Sequence, residues 1–524
     1  MGKETFCIRP PGAENGPETE TFELSDFDCL APPFYTMLSL CYKLDKEQDR
    51  EAIIQNLKEG LEITVGQYRI ITATLQKKTA TGKFSAIRKR ESGINFTINR
   101  MDDGNDFPDF ATLDNADFPF EKMDINQLFP EDICKRIASV FQEFADPPAV
   151  VAQANFIRGG VILCVASHHR ISDGIGTNYL VAHWAANARA LSTKTALPAF
   201  DKARVDRTPL NFTGPQPSAE RMAELKRQIG FVHHAGEGDN PPPATESISI
   251  ISLHFPKSKL ALLKADASPP PVPATNGRAD SALSYSNDTE LHPGDAASSP
   301  TTDSTTKAAG PAVPWISTYD AIIATLWRAV TRARLPTFLA QPTGPPTTSS
   351  QLHAVNLRAI AGVPPAYYGN VMALPVQTVP LPTLTSQSPT APDPNLAAVA
   401  AAVRAGIAAC SSRAIARATA EWVAGTPDKD AITMPNLMGT GLYGTSWRSM
   451  TYYVDADFGF GRPRRVRRPP IPADGIYFVY PTRPVECGAR PDEGTDVVLA
   501  LARSAAERFV VDEEVLRYAV VMEG

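Results

Sequence analysis

Residues 150–167 place the strongest constraint on the fold, because they form an apolar run long enough for two strands with a break between them. The break is Gly159-Gly160, a pair typical of a tight hairpin turn. The second half of the run is apolar at successive positions, so both faces of that strand are expected to be buried in the middle of a sheet. A polar turn follows, and helical spacing returns over 174–191.

Strands and helices alternate in both halves of the chain, which predicts a mixed α/β class. A stretch rich in proline and charge over 196–247 separates the two halves, and 267–312 is almost wholly Ser, Pro, Thr, Ala, Asp and Gly. Such a composition buries too little apolar surface to offset its ordering entropy. We therefore predict an N-terminal domain over 1–195, a crossover linker over 196–247, and a C-terminal domain over 248–524 with a disordered insertion at 267–312.

The charge balance and the cysteines narrow the class of protein. The sequence has 51 Lys and Arg against 57 Asp and Glu, a net charge of −6, which argues against a nucleic-acid binder. Its seven cysteines are scattered without a CxxC pair, as expected for reduced thiols in the cytoplasm. No apolar run approaches the 18 or so residues of a membrane span, and no signal peptide is recognisable. A cytoplasmic protein without membrane or metal partners is expected.

The polar turn after the hairpin has the sequence HHRISDG over 168–174. A histidine at the end of a buried strand suits a general base, since its ordinary pKa of about 6.5 lets it accept a proton near neutrality. Asp173, followed by Gly174, fits a tight turn whose carboxylate caps the next helix. These residues alone leave open a structural histidine pair, a metal held by His169 and Asp173, and catalysis. A serine hydrolase is disfavoured because no GxSxG elbow occurs.

A second motif, DFGFG at 457–461, lies far downstream and is followed by Arg462-Pro463. A kinase is excluded because the Gly-rich loop and the catalytic HRD loop are missing. HHxxxDG followed at this separation by DFGxG resembles the BAHD acyltransferases, in particular their fungal trichothecene 3-O-acetyltransferase branch. Five further stretches carry the same resemblance: AQANFIRGG, STYDAIIATLWRA, VNLRAIAGVPPAYYGN, TSWRSM and VRRP.

The resemblance implies two chloramphenicol-acetyltransferase-like domains with an active-site channel between them. Acyl-CoA, the co-substrate, would enter from one face and the acceptor from the other, and no cofactor would be bound. His169 would be the general base, and Asp173 would hold the turn by pairing with an arginine, for which Arg358 is the candidate. Structural support is expected from His168, Gly174, Asp457, Gly459 and Gly461.

Two further regions have expected roles. Thr445 and Trp447 match a Ser/Thr-x-Trp stretch of the family and are candidate oxyanion donors or CoA contacts, with ordinary packing as the alternative. Five arginines occur among the seven residues 462–468, for which we expect a solvated loop. Contact with the CoA phosphates and a nuclear-import signal are the alternatives for this run.

The sequence therefore predicts an acyl-CoA-dependent O-acyltransferase, with acetyl transfer to a hydroxyl of a fungal terpenoid, alkaloid or polyketide. A monomer is expected. An N-acyltransferase acting on an amine and a catalytically silent binding protein of the same fold remain the alternatives. A carrier-protein-dependent condensation enzyme shares HHxxxDG, but DFGFG argues against it.

Overall fold

The computed structural model describes residues 2–77, 82–102, 107–137, 146–230, 233–234, 246–269, 315–342, 344–387, 393–433, 437 and 439–522. The strands of the first half are β1 (Gly2–Ile8), β2 (Thr19–Glu23), β3 (Tyr35–Lys43), β4 (Thr74–Lys77), β5 (Phe84–Lys89), β6 (Ile94–Arg100), β7 (Val150–Ile157), β8 (Gly160–His168) and β9 (His233–His234). Those of the second half are β10 (Ile248–Phe255), β11 (Thr348–His353), β12 (Val355–Asn356), β13 (Met372–Ala373), β14 (Val376–Pro380), β15 (Ile432–Thr433), β16 (Leu442–Ser446), β17 (Arg465–Arg467), β18 (Ile476–Val479), β19 (Thr495–Ala502) and β20 (Val520–Met522). From residue 270 on, the predicted insertion lies outside the described residues.

The helices are α1 (Arg50–Gln67), α2 (Phe110–Asn115), α3 (Ile125–Leu128), α4 (Glu131–Ile137), α5 (Gly174–Thr193), α6 (Ala219–Ile229), α7 (Lys257–Asp266), α8 (Thr318–Leu339), α9 (Arg358–Ala361), α10 (Leu381–Thr385), α11 (Pro394–Cys410), α12 (Arg413–Gly425), α13 (Tyr452–Asp455), α14 (Arg503–Phe509) and α15 (Glu513–Tyr518). Within the described ranges, no single helix is long and apolar enough to cross a membrane; the bent pair α11 and α12 passes that test only when its two members are taken together.

Two large sheets organise the molecule. The first sheet has the strand order β1-β6-β7-β8-β3-β17, and the second has the order β14-β11-β16-β18-β19-β10-β20. Every strand of the second sheet comes from the part of the chain after residue 247, whereas the first sheet is built from residues before 169 with one exception. The exception is β17, which comes from the second half of the chain and pairs antiparallel with β3. One strand thus joins the two halves of the molecule.

The predicted hairpin is the centre of the first sheet. Strands β7 and β8 are buried at every position, and Gly159 makes the turn between them with a φ of +76°, a conformation that favours glycine. Helix α5 follows and packs on α1, where a Cβ on Gly60 would lie 2.7 Å from the Cβ of Ala188. This close approach holds α5, and the turn before it, against the sheet.

A second apolar core lies against the second sheet. Helix α8 begins with a capping box in which Ser317 accepts a hydrogen bond from the backbone of Asp320 and the carboxylate of Asp320 accepts one from the backbone of Ser317. Its buried residues, including Trp327, pack with strands β16, β18 and β19. These two hydrogen bonds fix where α8 begins.

The solvated loop predicted for the arginine run is wrong. Only Arg462 is exposed, whereas Arg465 and Arg467 lie on β17 and are buried. Arg465 pairs with Asp117 of the first half at 2.6 Å and with Asp496 of β19. The rest of this β17 ion cluster consists of Arg467, Arg483, Arg490, Glu493 and His254. Carboxylates from distant parts of the chain balance the arginines, which makes their burial possible.

Replacement of Arg465 by alanine leaves Asp117 and Asp496 buried with fewer cationic partners. We expect the free energy of unfolding to fall by about 1–3 kcal/mol, because both carboxylates lose a charged hydrogen bond but keep Arg467, and Asp117 also keeps Arg483 and Arg490. The matched control is Arg462→Ala in the same run, expected within about 0.5 kcal/mol of the parent protein. Urea denaturation of both variants measures this, and equal stabilities would show that the cluster contributes nothing.

Candidate active site

The β8–α5 turn, residues 168–174, carries the candidate catalytic groups. Pairing between β3 and β8 ends at His168, so His169 is the first residue after the buried strand. The backbone N–H of His169 donates to the carbonyl oxygen of Phe34 at 2.8 Å. The Nδ1 atom of His168 accepts a hydrogen bond from the backbone N–H of Arg170 at 3.3 Å. His168 therefore fixes the backbone of the turn, whereas His169 directly follows the last paired residue of β8.

The imidazole of His169 is half-buried and lies edge-on to the ring of Phe34, with 5.1 Å between centroids. Its Nδ1 atom is enclosed and has no hydrogen-bond partner among the described residues, whereas Nε2 is not enclosed. Burial lowers the pKa of His169, and the nearby charge of Asp173 raises it less than burial lowers it. The ring is consequently neutral at physiological pH, the state in which an imidazole accepts a proton.

Both carboxylate oxygens of Asp173 are occupied by donors. Oδ1 accepts from the backbone N–H of Gly176 at 2.8 Å, which caps α5, and Oδ2 accepts from the backbone N–H of Val371 at 3.2 Å. Arg358 donates Nη2 to Oδ1 at 2.7 Å and Nη1 to Oδ2 at 2.9 Å. Burial acts to raise the pKa of Asp173, but the charge of Arg358 and these hydrogen bonds outweigh it and lower the pKa.

Arg358 is buried and makes the contact with Asp173 that the sequence analysis expected. It also donates to the carbonyl oxygens of Tyr367 at 3.1 Å and Gly369 at 2.8 Å. One guanidinium thus ties the β8–α5 turn to the loop before β13 in the second half of the chain. With its oxygens occupied in this way, Asp173 is unsuited to hold a metal with His169. No group of three or more His, Cys, Asp and Glu residues in the described ranges is arranged to hold a metal ion.

Trp447 and Gly174 meet at the start of α5. A Cβ on Gly174 would lie 2.8 Å from the Cε of Met450 and 3.3 Å from the Nε1 of Trp447, so a side chain there would displace Met450 and crowd Trp447. Thr445, two residues before Trp447, is half-buried on β16 and pairs in register with Phe478 of β18. The structure therefore places Trp447 at the β8–α5 turn and Thr445 on β16 of the second sheet.

Arg468 is a charged group near His169 whose position the sequence analysis did not identify. It is buried, its guanidinium lies 4.0 Å from the ring centroid of Phe478, and its backbone N–H donates to the hydroxyl of Tyr480. No carboxylate pairs with it in the part of the chain that the structure describes. Burial lowers the pKa of Arg468 to about 10, so it is charged at neutral pH, and its charge contributes to the lowered pKa of His169.

The DFGFG motif lies far from His169. Asp457 Oδ1 accepts from the backbone N–H groups of Gly459 at 2.9 Å and Gly461 at 3.2 Å, and these glycines have φ values of +97° and +113°. A Cβ on Gly459 would lie 2.2 Å from the Oγ of Ser192. Ser192 is near the C-terminal end of α5, roughly 27 Å along the helix from Gly174. Asp457, Gly459 and Gly461 therefore hold a loop against the C-terminal end of α5, the helix that begins at the β8–α5 turn.

Three further buried residues, Asp28, Arg207 and Asn370, contact the backbone of the β8–α5 turn or one another. The sequence analysis did not find them. Asn370 is the last residue of the stretch VNLRAIAGVPPAYYGN, which was the available signal for it. Asp28 and Arg207 lie outside all the motifs that the sequence analysis used.

Comparison with known proteins gives matches along nearly the whole chain. A model of the Transferase family matches residues 8–516. Acetyltransferase FGR3 of Gibberella zeae is 28% identical over 534 residues, which cover 98% of this chain and 93% of the relative. Trichothecene 3-O-acetyltransferase TRI101 of Fusarium sporotrichioides is 24% identical over 526 residues, which cover 97% of this chain and 99% of the relative.

Among solved structures, the fold is similar to that of F. graminearum TRI101 in complex with coenzyme A and T-2 mycotoxin. The TM-score is 0.72 at 18% sequence identity, and the match covers 96% of this chain and 100% of that chain. At this identity the likeness establishes the fold and not the activity. The predicted two-domain α/β fold is confirmed by this match.

Replacement of Arg358 by alanine leaves Asp173 buried without its cationic partner. The free energy of unfolding should fall by about 3–5 kcal/mol, because the uncompensated charge stays in the interior. The surface pair Arg503–Glu507, in which both side chains are mostly exposed, provides the control: Arg503→Ala should change stability by less than about 0.5 kcal/mol. Thermal and urea unfolding of both variants measure the difference, and normal stability of Arg358→Ala would show that the pair does not hold the turn.

Proposed function

Because the chain belongs to the Transferase family, we propose that it transfers an acyl group from acyl-CoA to a hydroxyl of a small molecule. The resemblance inferred from HHxxxDG and DFGxG is thereby confirmed. Relatives named as acetyltransferases of trichothecenes and eremophilanes support acetyl-CoA as donor and a fungal secondary metabolite as acceptor. The observation that carries the mechanism is the position of the His169 imidazole at the end of β8, on a turn that Asp173 and Arg358 fix and where burial lowers its pKa.

The reaction follows from the position of that imidazole. Nε2 of His169 takes the proton from the acceptor hydroxyl while its oxygen attacks the thioester carbonyl carbon. A C–O bond forms, and the carbonyl electron pair moves to oxygen. When the tetrahedral intermediate collapses, the C–S bond breaks and the CoA thiolate takes the proton from the imidazolium. The histidine returns to its neutral state, and no acyl-enzyme forms.

The negative oxygen of the intermediate needs a preorganised donor. Thr445 is the candidate hydroxyl donor, since β16 carries it on the strand that leads to Trp447 at the catalytic turn. Arg468 supplies a fixed positive charge in the same region without a carboxylate partner in the described ranges. Removal of a single oxyanion donor typically lowers kcat by about 10²–10³-fold.

We further propose that the protein acts in the cytoplasm as a monomer, without nucleic-acid or membrane partners. All seven cysteines are free, which is typical of a reducing compartment. The net charge of −6 gives no general attraction to nucleic acid.

An assay of CoA release tests the proposed function. The parent protein, incubated with acetyl-CoA and a pool of hydroxylated fungal metabolites, should release CoA and yield an acetylated product, whereas His169→Ala should lose roughly 10²–10⁴-fold in rate. His183→Ala is the matched control, because His183 is a second buried histidine whose Nε2 contacts Gln67. Mass spectrometry of the product distinguishes an ester from an amide.

Release of CoA that is equally fast in His169→Ala would contradict the role of the base. Binding of acetyl-CoA without release, across hydroxyl and amine acceptors, would favour the silent binding protein instead.

The pH dependence of kcat/KM tests the state of the imidazole. Protonated His169 cannot accept a proton, so the rate should fall about tenfold per pH unit below its pKa and reach a plateau above it. Because burial lowers that pKa, the midpoint should lie below pH 6.5. Rates measured between pH 4.5 and pH 8 check the prediction, and a midpoint above pH 6.5 would contradict it.

A further inference from the structure

Asp28 is a fully buried carboxylate in a short 3-10 turn between β2 and β3. Its Oδ1 accepts from the backbone N–H of Asn370 at 2.8 Å and from the side-chain Nδ2 of Asn370 at 2.9 Å. Its Oδ2 accepts from Arg207 Nε at 3.0 Å and from the backbone N–H and hydroxyl of Ser25 at 2.9 and 2.7 Å. Five hydrogen bonds therefore hold one carboxylate and saturate both of its oxygens.

Two of these donors, Asn370 and Arg207, also donate hydrogen bonds to the β8–α5 turn. The Nδ2 of Asn370, which has a second hydrogen, also donates to the carbonyl oxygen of His169 at 2.8 Å. Arg207 donates Nη2 to the carbonyl oxygen of Ile171 at 2.8 Å. Asp28 thus orients both side chains, and each of them fixes one peptide of the turn.

Asp28 and Asp173 accept hydrogen bonds from adjacent residues of the same loop. The backbone N–H of Asn370 donates to Asp28, and that of Val371 donates to Asp173. Arg207 neutralises Asp28 at 3.0 Å in the way that Arg358 neutralises Asp173 at 2.7 Å. The turn is consequently held by two buried ion pairs, one at His169 and Ile171 and one at Asp173.

We propose that Asp28 is a positioning residue for the acyl transfer, acting through Asn370 and Arg207 on the backbone of His169 and Ile171. The proposal rests on the role of His169 as the base. A carbonyl held at 2.8 Å fixes the peptide that carries the imidazole, and a displacement of about 1 Å at a catalytic group costs on the order of 10²-fold in rate. Asp173 holds the far end of the turn, so Asp28 sets the end that bears the base.

Asp28→Asn tests the proposal, because it keeps the shape and replaces one acceptor oxygen by a donor that faces other donors. We expect kcat to fall roughly 10- to 100-fold while KM for acetyl-CoA changes less than about threefold. Glu514→Gln, which removes a carboxylate from buried Arg328 and touches no residue of the turn, should leave kcat and the midpoint of the kcat/KM pH profile unchanged.

Asn370→Ala provides the second variant, since it keeps the ion pair between Asp28 and Arg207 and leaves no buried charge without its partner. It should lower kcat and, because it changes no charge, move the midpoint of the kcat/KM pH profile up toward 6.5, since a loosened turn exposes the imidazole to water. The double variant should be no slower than Asp28→Asn alone, because the two residues act in one chain of contacts.

Normal kcat and an unchanged midpoint in Asn370→Ala, or normal kcat in a folded Asp28→Asn, would overturn the proposal, provided that His169→Ala is inactive. Full activity of His169→Ala would instead refute the base, and the positioning of that base with it. If Asp28→Asn does not fold, the result for Asn370→Ala alone decides whether the proposal is upheld or overturned.

Discussion

The ion pair between Asp173 and Arg358 is the contact on which the rest of the site depends. It joins residues 185 positions apart and locks the β8–α5 turn of the first half to a loop of the second. Its donors and acceptors are saturated by Gly176, Val371 and Gly369, so the charges do not remain unpaired in the interior. A buried pair of this kind is directional, and it therefore fixes the geometry of a turn more sharply than apolar packing does.

Charge also joins the two halves elsewhere. The β17 ion cluster places Arg465 of the second half between Asp117 of the first half and Asp496 of the second sheet. Helix α5 spans the distance between the two sequence motifs, with the catalytic turn at its start and the DFGFG loop packed against Ser192 near its end. These contacts fix the two halves of the chain relative to each other.

The sequence predicted the elements whose signals are local. The hairpin at 150–167 and the helix after Gly174 were both found, because side-chain periodicity depends on residues a few positions apart. The spacing marked His169 and Asp173 as candidates, and the family resemblance gave their expected roles and the expected pairing with Arg358.

The sequence by itself thus determined the class of fold and the family, and it predicted the groups that we propose to carry the chemistry. Only the tertiary structure decided how those groups are held. The burial of Arg465 depends on Asp117, 348 positions away, and the contact of Asp28 with Asn370 spans 342 positions. No local pattern encodes such pairs, because the free energy that buries a charge comes from a partner that only the folded chain brings near. An arginine run therefore predicted a solvated loop and formed a buried strand instead.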